Sequence, residues 1–333
     1  MIWGIWDSWA IWAFKAKIYF VHQGIPFERF LEFKKVWGLW DYPHHVPLME
    51  AWVALNFGYW NDQWVKMIFP FFFTGISVCV FSLCRTYATR EISLIAALGV
   101  ISLYELQMLT VGTIVEPVII FYYLFSLNLL LRWMITKDKA LFILSAIFAG
   151  LAGWTKNEGL VYALFNGFIL ILFLRKNHSA RETILLLVFY ILIILAVVLP
   201  NFLLKFYFEL ENILINKAQL SAIVLLHNLL NLPKSLKILI VYSLNFHYFN
   251  LTWLIFFIFW LKNFKSKIPP FIHYLFISIF LHLILIIILS IIDPTDLYLA
   301  DAMKRLFLTP TILAILYVVL TADEKYLTSD KGE

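Results

Sequence analysis

A chain of 333 residues that is 62% hydrophobic and only 14% charged, with mean hydropathy +0.85, is excluded from the soluble globular class and reads as a polytopic helical membrane protein. Its net charge of +5 is ordinary where lysines and arginines set membrane orientation and meet anionic headgroups, and nothing in it points to nucleic acid. Leu- and Ile-rich runs repeat from 66 to 321, so the predicted fold class is an all-α integral membrane protein built from helical spans rather than a barrel.

The first 65 residues hold nine of the thirteen tryptophans. In WGIWDSWAIWAFKAKIYF, Trp3, Trp6, Trp9 and Trp12 recur every three residues, which on a helix sweeps one broad face bordered by Lys15 and Lys17. That profile predicts an interfacial helix whose indoles, Trp9 and Trp12 among them, lie in the headgroup region. Asp7 and Ser8 precede the run. Either could cap the helix; alternatively, Asp7 is a carboxylate held at the bilayer surface, able to take a proton from an acceptor hydroxyl. A second Trp-rich helix is expected around 48–60, after WDYPHHVPLMEAW, where Pro43 and Pro47 force a turning backbone around His44 and His45. Adjacent histidines project differently, so hydrogen bonding to a phosphate or to backbone is expected of them rather than a metal pair.

Nine spans follow, at roughly 66–84, 91–107, 113–131, 140–155, 159–174, 182–204, 236–261, 269–292 and 305–321. Cys79 and Cys84 share the first of these, point apart, and read as apolar filler. Alternate short connections carry 11 basic residues on one side against Lys156, Lys304 and Arg305 on the other. The positive-inside rule therefore puts residues 1–65 outside, as an extracytoplasmic loop of amphipathic helices, before a membrane domain at 66–321 and a cytoplasmic tail at 322–333. No cleavable signal is visible. An outward N-terminal segment without one predicts that the reading frame begins upstream and includes a further span.

On that topology 14 of the 21 acids face outward, and Glu105, Glu116 and Glu158 sit at or inside span ends, where an ionisable group is costly. Glu116 precedes Pro117 at a helix start, where the helix dipole alone would favour an acid. Residues 140–174 must cross twice, which places Lys156 and Glu158 of WTKNEG below the outer interface. The two could simply pair with each other, or Lys156 could meet an anionic lipid phosphate. The segment 204–236 is expected to add interfacial helices, with Leu210, Ile213, Leu214 and Lys217 at helical spacing. His227 and His247 read as lone histidines satisfied by neighbours. In DAMKR, Lys304 and Arg305 stand on the side where bases are disfavoured; they are snorkelling span-end bases or cations for a phosphate leaving group. No cluster has metal-ligand spacing and no cofactor is predicted, with dependence on a divalent metal left open.

Four stretches in this order, WDSWAIWAFKAK, DYPHHVPLMEAW, WTKNEG and DAMKR, resemble the C-class, polyprenyl-phosphate-dependent glycosyltransferases, the superfamily of protein O-mannosyltransferases and aminoarabinose transferases. The resemblance covers most of the chain. It implies a transferase of the cell envelope that uses a polyprenyl-phosphate-linked sugar in a bacterial cytoplasmic (inner) membrane, its site facing outside. By position it makes Asp7 the acid acting on the acceptor and Glu116 a second acid, with Lys156, Lys304, Arg305 and His44 around the lipid phosphate. The alternatives are a secondary transporter or lipid flippase, and an inactive truncated homologue. Against transport, no inverted repeat is visible and the ionisable residues gather at outer ends rather than the midplane.

Overall fold

The computed structural model describes residues 7–34, 40–210, 222–264, 268–295 and 298–322, and among these every element is helical. A π-helical turn, Ser8–Ala13, leads into α1 (Phe14–Val21), followed by α2 (Phe30–Lys34) and α3 (His45–Phe57). Next come α4 (Ile68–Tyr87), α5 (Arg90–Ile101), α6 (Tyr104–Val111), α7 (Glu116–Thr136), α8 (Lys139–Thr155), α9 (Asn157–Asn177) and α10 (Ala180–Tyr207). The last group is α11 (Ala222–Asn228), α12 (Leu232–Ser243), α13 (Phe246–Phe249), α14 (Thr252–Asn263), α15 (Pro270–Ile292) and α16 (Met303–Ala322). Trp3, Trp6, the helix expected around Ile213 and Leu214, and the tail 323–333 lie outside the described residues.

Local chemistry accounts for many of the boundaries. Asp138 accepts from the Ala140 N–H at 2.9 Å to start α8, and Ser179 with Glu182 forms a reciprocal capping box at the start of α10. Pro117 occupies the first turn of α7, where its missing N–H costs nothing. Gly58 closes α3 at φ 75°, a left-handed conformation that glycine adopts without strain.

Among the described residues six helices are long and apolar enough to cross a membrane, Val65–Tyr87, Glu116–Thr136, Asn157–Asn177, Ala180–Tyr207, Pro270–Ile292 and Met303–Ala322; α5 and α6 make a seventh if they count as one span bent by 57°. The expected count of nine differs at two places. Helix α8 is apolar but only 17 residues long. The stretch 236–261 is not continuous: Asn245 leaves helical geometry to cap α13 by accepting from the His247 N–H at 3.0 Å, and Asn250 turns the chain at φ 53°. Asparagine suits the first position because its short amide competes for backbone hydrogen bonds. The bend between α5 and α6 is likewise stabilised locally, with the Gln107 amide donating to the Ile101 carbonyl at 2.7 Å.

The chain divides into two compact units, one comprising 1–76 and 108–213 and the other 77–107 and 214–333. In the first, α8 packs against α7, α9 and α10, and α1 packs on α3. Mid-helix polar groups tie these spans: Ser145 hydrogen-bonds Tyr190 at 2.9 Å and donates to the Ser126 carbonyl at 2.9 Å, while the Asn166 amide donates to Ser126 Oγ at 2.8 Å. Gly159 permits the close approach of α9 to α8, since a Cβ there would lie 1.9 Å from the Ala152 carbonyl oxygen. Helix α10 exposes Leu185, Leu192, Leu199 and Phe206, an apolar row at seven-residue spacing suited to lipid. In the second unit, α16 is the buried centre, packed by α5, α14 and α15; Trp253 stacks on Phe307 and donates to Thr311 Oγ1 at 3.0 Å.

Candidate functional site

Short connections make α7, α8, α9 and α10 successive antiparallel neighbours, so one end of the first unit gathers the start of α7, the end of α8, the start of α9 and the end of α10. The N-terminal part sits at that end. His45, in the first turn of α3, hydrogen-bonds Thr155 Oγ1 of α8 at 3.1 Å and stacks on Trp154 with ring centroids 5.2 Å apart. Burial pushes its imidazole down to about 4, so it is neutral in this bond.

Lys156 follows directly. It is the single extended residue between α8 and α9, and its ammonium lies between two carboxylates, 3.1 Å from Glu116 Oε1 and 3.2 Å from Glu158 Oε1. All three side chains are largely withdrawn from solvent. Two carboxyl groups around one ammonium supply acceptors that can hold hydroxyl groups through hydrogen bonds. The expected Lys156–Glu158 pair is present, with Glu116 as an additional partner.

A second ion pair lies in the same unit. Lys66 donates to Glu50 Oε1 at 2.9 Å, to Ser8 Oγ at 3.0 Å and to the Ser8 carbonyl at 3.4 Å, and the Ser8 hydroxyl also meets that of Thr113. Glu50 is fully buried, which raises its carboxyl against the opposing pull of Lys66. Sequence reasoning passed over both residues. The available signal was an acid midway through the apolar helix PLMEAWVAL, a position that demands a partner. Asp7, half-buried, adjoins Ser8 at the head of the π-turn; its side chain makes no capping bond, so capping is not its role.

The π-turn also separates the two tryptophans. Trp9 is 66% exposed, while Trp12 is 2% exposed, edge-on to Tyr42 and beneath the Lys15 ammonium. Residues three apart do not share a face where the winding is that wide, so Trp12 is a core residue rather than a membrane contact. Lys15 is buried too and donates to the Tyr42 carbonyl at 3.3 Å. Burial pushes it down to about 7, with Asp41 opposing and Lys205 adding to the shift. His44 contacts the Tyr19 hydroxyl through Nδ1. Burial, then Lys15 and Lys205, lower its imidazole well below the usual range, while the Trp40 backbone pulls the other way. A neutral histidine is a hydrogen-bonding group and not a cation for phosphate.

His44 also lines a cavity of about 600 Å³, with Ile25, Phe27 and Leu48 from the N-terminal part, Trp154 from α8 and the last turns of α10 from Pro200 to Tyr207. Its walls are almost wholly apolar, and none of the lining residues other than His44 is titratable near neutral pH.

Lys304 and Arg305 belong to the second unit. There Lys304 lies 3.4 Å from Glu105 and over the Tyr248 ring, and Arg305 pairs with Asp301 at 2.8 Å. Tyr104 and His247 stand ring to ring at 4.1 Å, which supplies the neighbour expected for that histidine. Among the described residues no group of three or more His, Cys, Asp or Glu is arranged to hold a metal ion. No protein-family model, no curated protein and no solved structure matches the chain.

Proposed function

We propose that the protein is an integral-membrane glycosyltransferase that moves a sugar from a polyprenyl-phosphate donor to an acceptor hydroxyl outside the cytoplasm. The observation that carries this reading is the meeting, at one end of the first unit, of a tryptophan-rich segment and the buried Glu116–Lys156–Glu158 cluster beside Trp154, a wall of the apolar cavity. An apolar recess next to ionisable groups at span ends is what an enzyme of lipid-linked substrates requires. The opposite ends of α7–α10 carry Arg132, Lys137, Lys139, Arg175, Lys176 and Arg181, which the positive-inside rule assigns to the cytoplasm. On this reading α8 crosses as a short span and the broken 232–263 stretch crosses once, making nine.

In the reaction, an acceptor O–H attacks the anomeric carbon, the carbon–oxygen bond to phosphate breaks, and the phosphate leaves on its lipid. Asp7 takes the proton; Glu116 and Glu158, held by Lys156, orient the acceptor's hydroxyls. The resemblance gives Lys304 and Arg305 a phosphate-binding role, and on that role Arg305→Ala is expected to weaken donor binding far more than folding. Asp7→Asn is expected to lower transfer in membranes supplied with labelled lipid donor by about 10²- to 10⁴-fold, the usual worth of a positioned base. Full transfer by that variant would remove the base assignment.

One feature of the second unit favours transport as a second reading. The break between α5 and α6 stands beside a buried, ion-paired Glu105, and broken helices bearing ionisable groups are common in transporters. Uptake of a sugar or lipid into sealed vesicles with no covalent product would support it over the transferase.

A further inference from the structure

Helix α3 is apolar both where it faces the rest of the first unit and where it does not. It packs on α1, with Val46, Ala51 and Ala54 buried, and its acid, Glu50, is turned inward to Lys66 at 2.9 Å. The other side is uncovered: Trp52 is 65% exposed, and Leu55 and Phe57 are exposed with it. Asn56 stands on that side too, but its amide is turned back to donate to the Trp52 carbonyl at 2.8 Å. An outer face without charge is unsuited to water. Nor can the helix cross a membrane, since 13 residues rise about 20 Å against about 30 Å of hydrocarbon. We propose that α3 lies along the surface of the bilayer, its Trp52–Leu55 face immersed among lipid headgroups and the upper parts of the acyl chains. The proposal does not rest on the transferase reading.

The lipid is identified by what this face runs into. The Glu50–Lys66 pair fixes α3 to the turn Val65–Met67, which opens the apolar span Val65–Tyr87. On that span Met67, Phe71 and Thr74 are exposed at spacings of four and three residues, which is one side of a helix whose length and hydropathy call for lipid around it. Aromatic rings join the two stretches. Phe57 stands 6.2 Å from Tyr59 and 5.5 Å from Trp64 between ring centroids, and both partners are exposed. Trp and Tyr gathered at a span end mark the membrane–water boundary, where the ring is apolar and its N–H or O–H can reach water. Depth follows from the connection between α3 and the span. Its Asp62 and Gln63 are exposed and polar, which holds the adjoining end of α3 at headgroup level rather than in the hydrocarbon. Trp12, expected at the membrane, is buried instead.

The test is cysteine accessibility of the full chain in phosphatidylcholine nanodiscs that hold one copy each, so that protection there cannot come from a second copy. Trp52→Cys, Leu55→Cys and Gln63→Cys alter exposed side chains, while the buried Cys79 and Cys84 stay in place with wild type as the blank. A sulfonated maleimide, which needs a hydrated thiolate, should label Gln63→Cys at least about tenfold faster than Trp52→Cys or Leu55→Cys, and denaturation should remove the difference. Bimane attached at 52 or 55 should be quenched more strongly by phosphatidylcholine bearing a nitroxide near the headgroup end of its acyl chain than near the methyl end. Labelling at 52 and 55 as fast as at 63 would overturn the proposal. So would protection that appears only with two copies per disc, quenching by neither lipid, or stronger quenching from the methyl end.

Discussion

Two polar assemblies in the first unit solve the same problem in opposite ways. Midway along the spans, Ser126, Ser145, Asn166 and Tyr190 are joined by neutral hydrogen bonds across four helices. At the end of the same helices, Lys156 is paired with Glu116 and Glu158, as Lys66 is with Glu50 in the other cluster of the unit. A neutral network holds helices together at little cost to insertion, because each group could find some partner in the membrane-inserted unfolded chain. A buried charge is different, since taking it from water is compensated only by a matched countercharge. Charges kept in spite of that cost, and beside a cavity, are what the proposed transfer chemistry would use.

The sharpest way to break this contrast is to orphan one charge. Lys66→Met leaves the Glu50 carboxylate buried without its countercharge and should destabilise the docking of α3 by about 3–5 kcal/mol. Glu50→Gln added to Lys66→Met should restore most of it. Chemical denaturation of the purified chain, followed by tryptophan fluorescence, reads both. A loss below about 1 kcal/mol in the single variant, the worth of an exposed pair, would mean that water reaches Glu50.

Next in size is Gly159→Ala, where the new methyl meets the Ala152 carbonyl oxygen and not a flexible side chain. It should cost about 1–3 kcal/mol or more, and it should disturb Lys156 three residues earlier. Comparing its transfer rate with its stability separates the charged cluster's geometry from the packing beneath it.

How much of this was legible beforehand depends on the range of the interaction. The span-end position of Glu116, Lys156 and Glu158 followed from hydropathy and loop length, and the Lys156–Glu158 contact from two residues of separation. Glu116 as partner of Lys156 is 40 residues away, and Glu50 with Lys66 joins the first loop to a span; no local pattern encodes either pairing. The helix at Trp9–Trp12 was foreseen, but its π winding was not, because a three-residue repeat presumes ordinary α geometry. The break at 244–251 carried a readable sign, two asparagines flanking FHYF, which uniform apolarity concealed.

A smaller effect tests whether the charged end is as dry as the contrast requires. Lys15 has a folded value of about 7 against about 10.4 in the unfolded chain. Between those values the unfolded state binds more protons, so stability should rise with pH from about 7 to 10, by at most about 1.4 kcal/mol per pH unit, and be flat in this respect below 7. Lys15→Met should flatten the slope. If wild type and variant show parallel melting temperatures across that range, Lys15 is solvated and the N-terminal part packs more loosely than its contacts imply.

The mildest perturbation bears on the neutral half of the comparison. Ser145→Ala removes bonds to the Ser126 carbonyl and to the buried Tyr190 hydroxyl, yet by the logic of membrane-inserted references it should cost only about 0.6–2 kcal/mol. Asn166→Leu, which takes the amide from Ser126 Oγ, should fall in the same range and combine less than additively with it, because both act through Ser126. Unfolding in mixed micelles with a double-variant cycle gives the coupling. Should Ser145→Ala cost as much as Lys66→Met, the mid-span hydroxyls would be as indispensable as the charges at the helix ends. The distinction between glue and chemistry would then have to rest on the cavity alone.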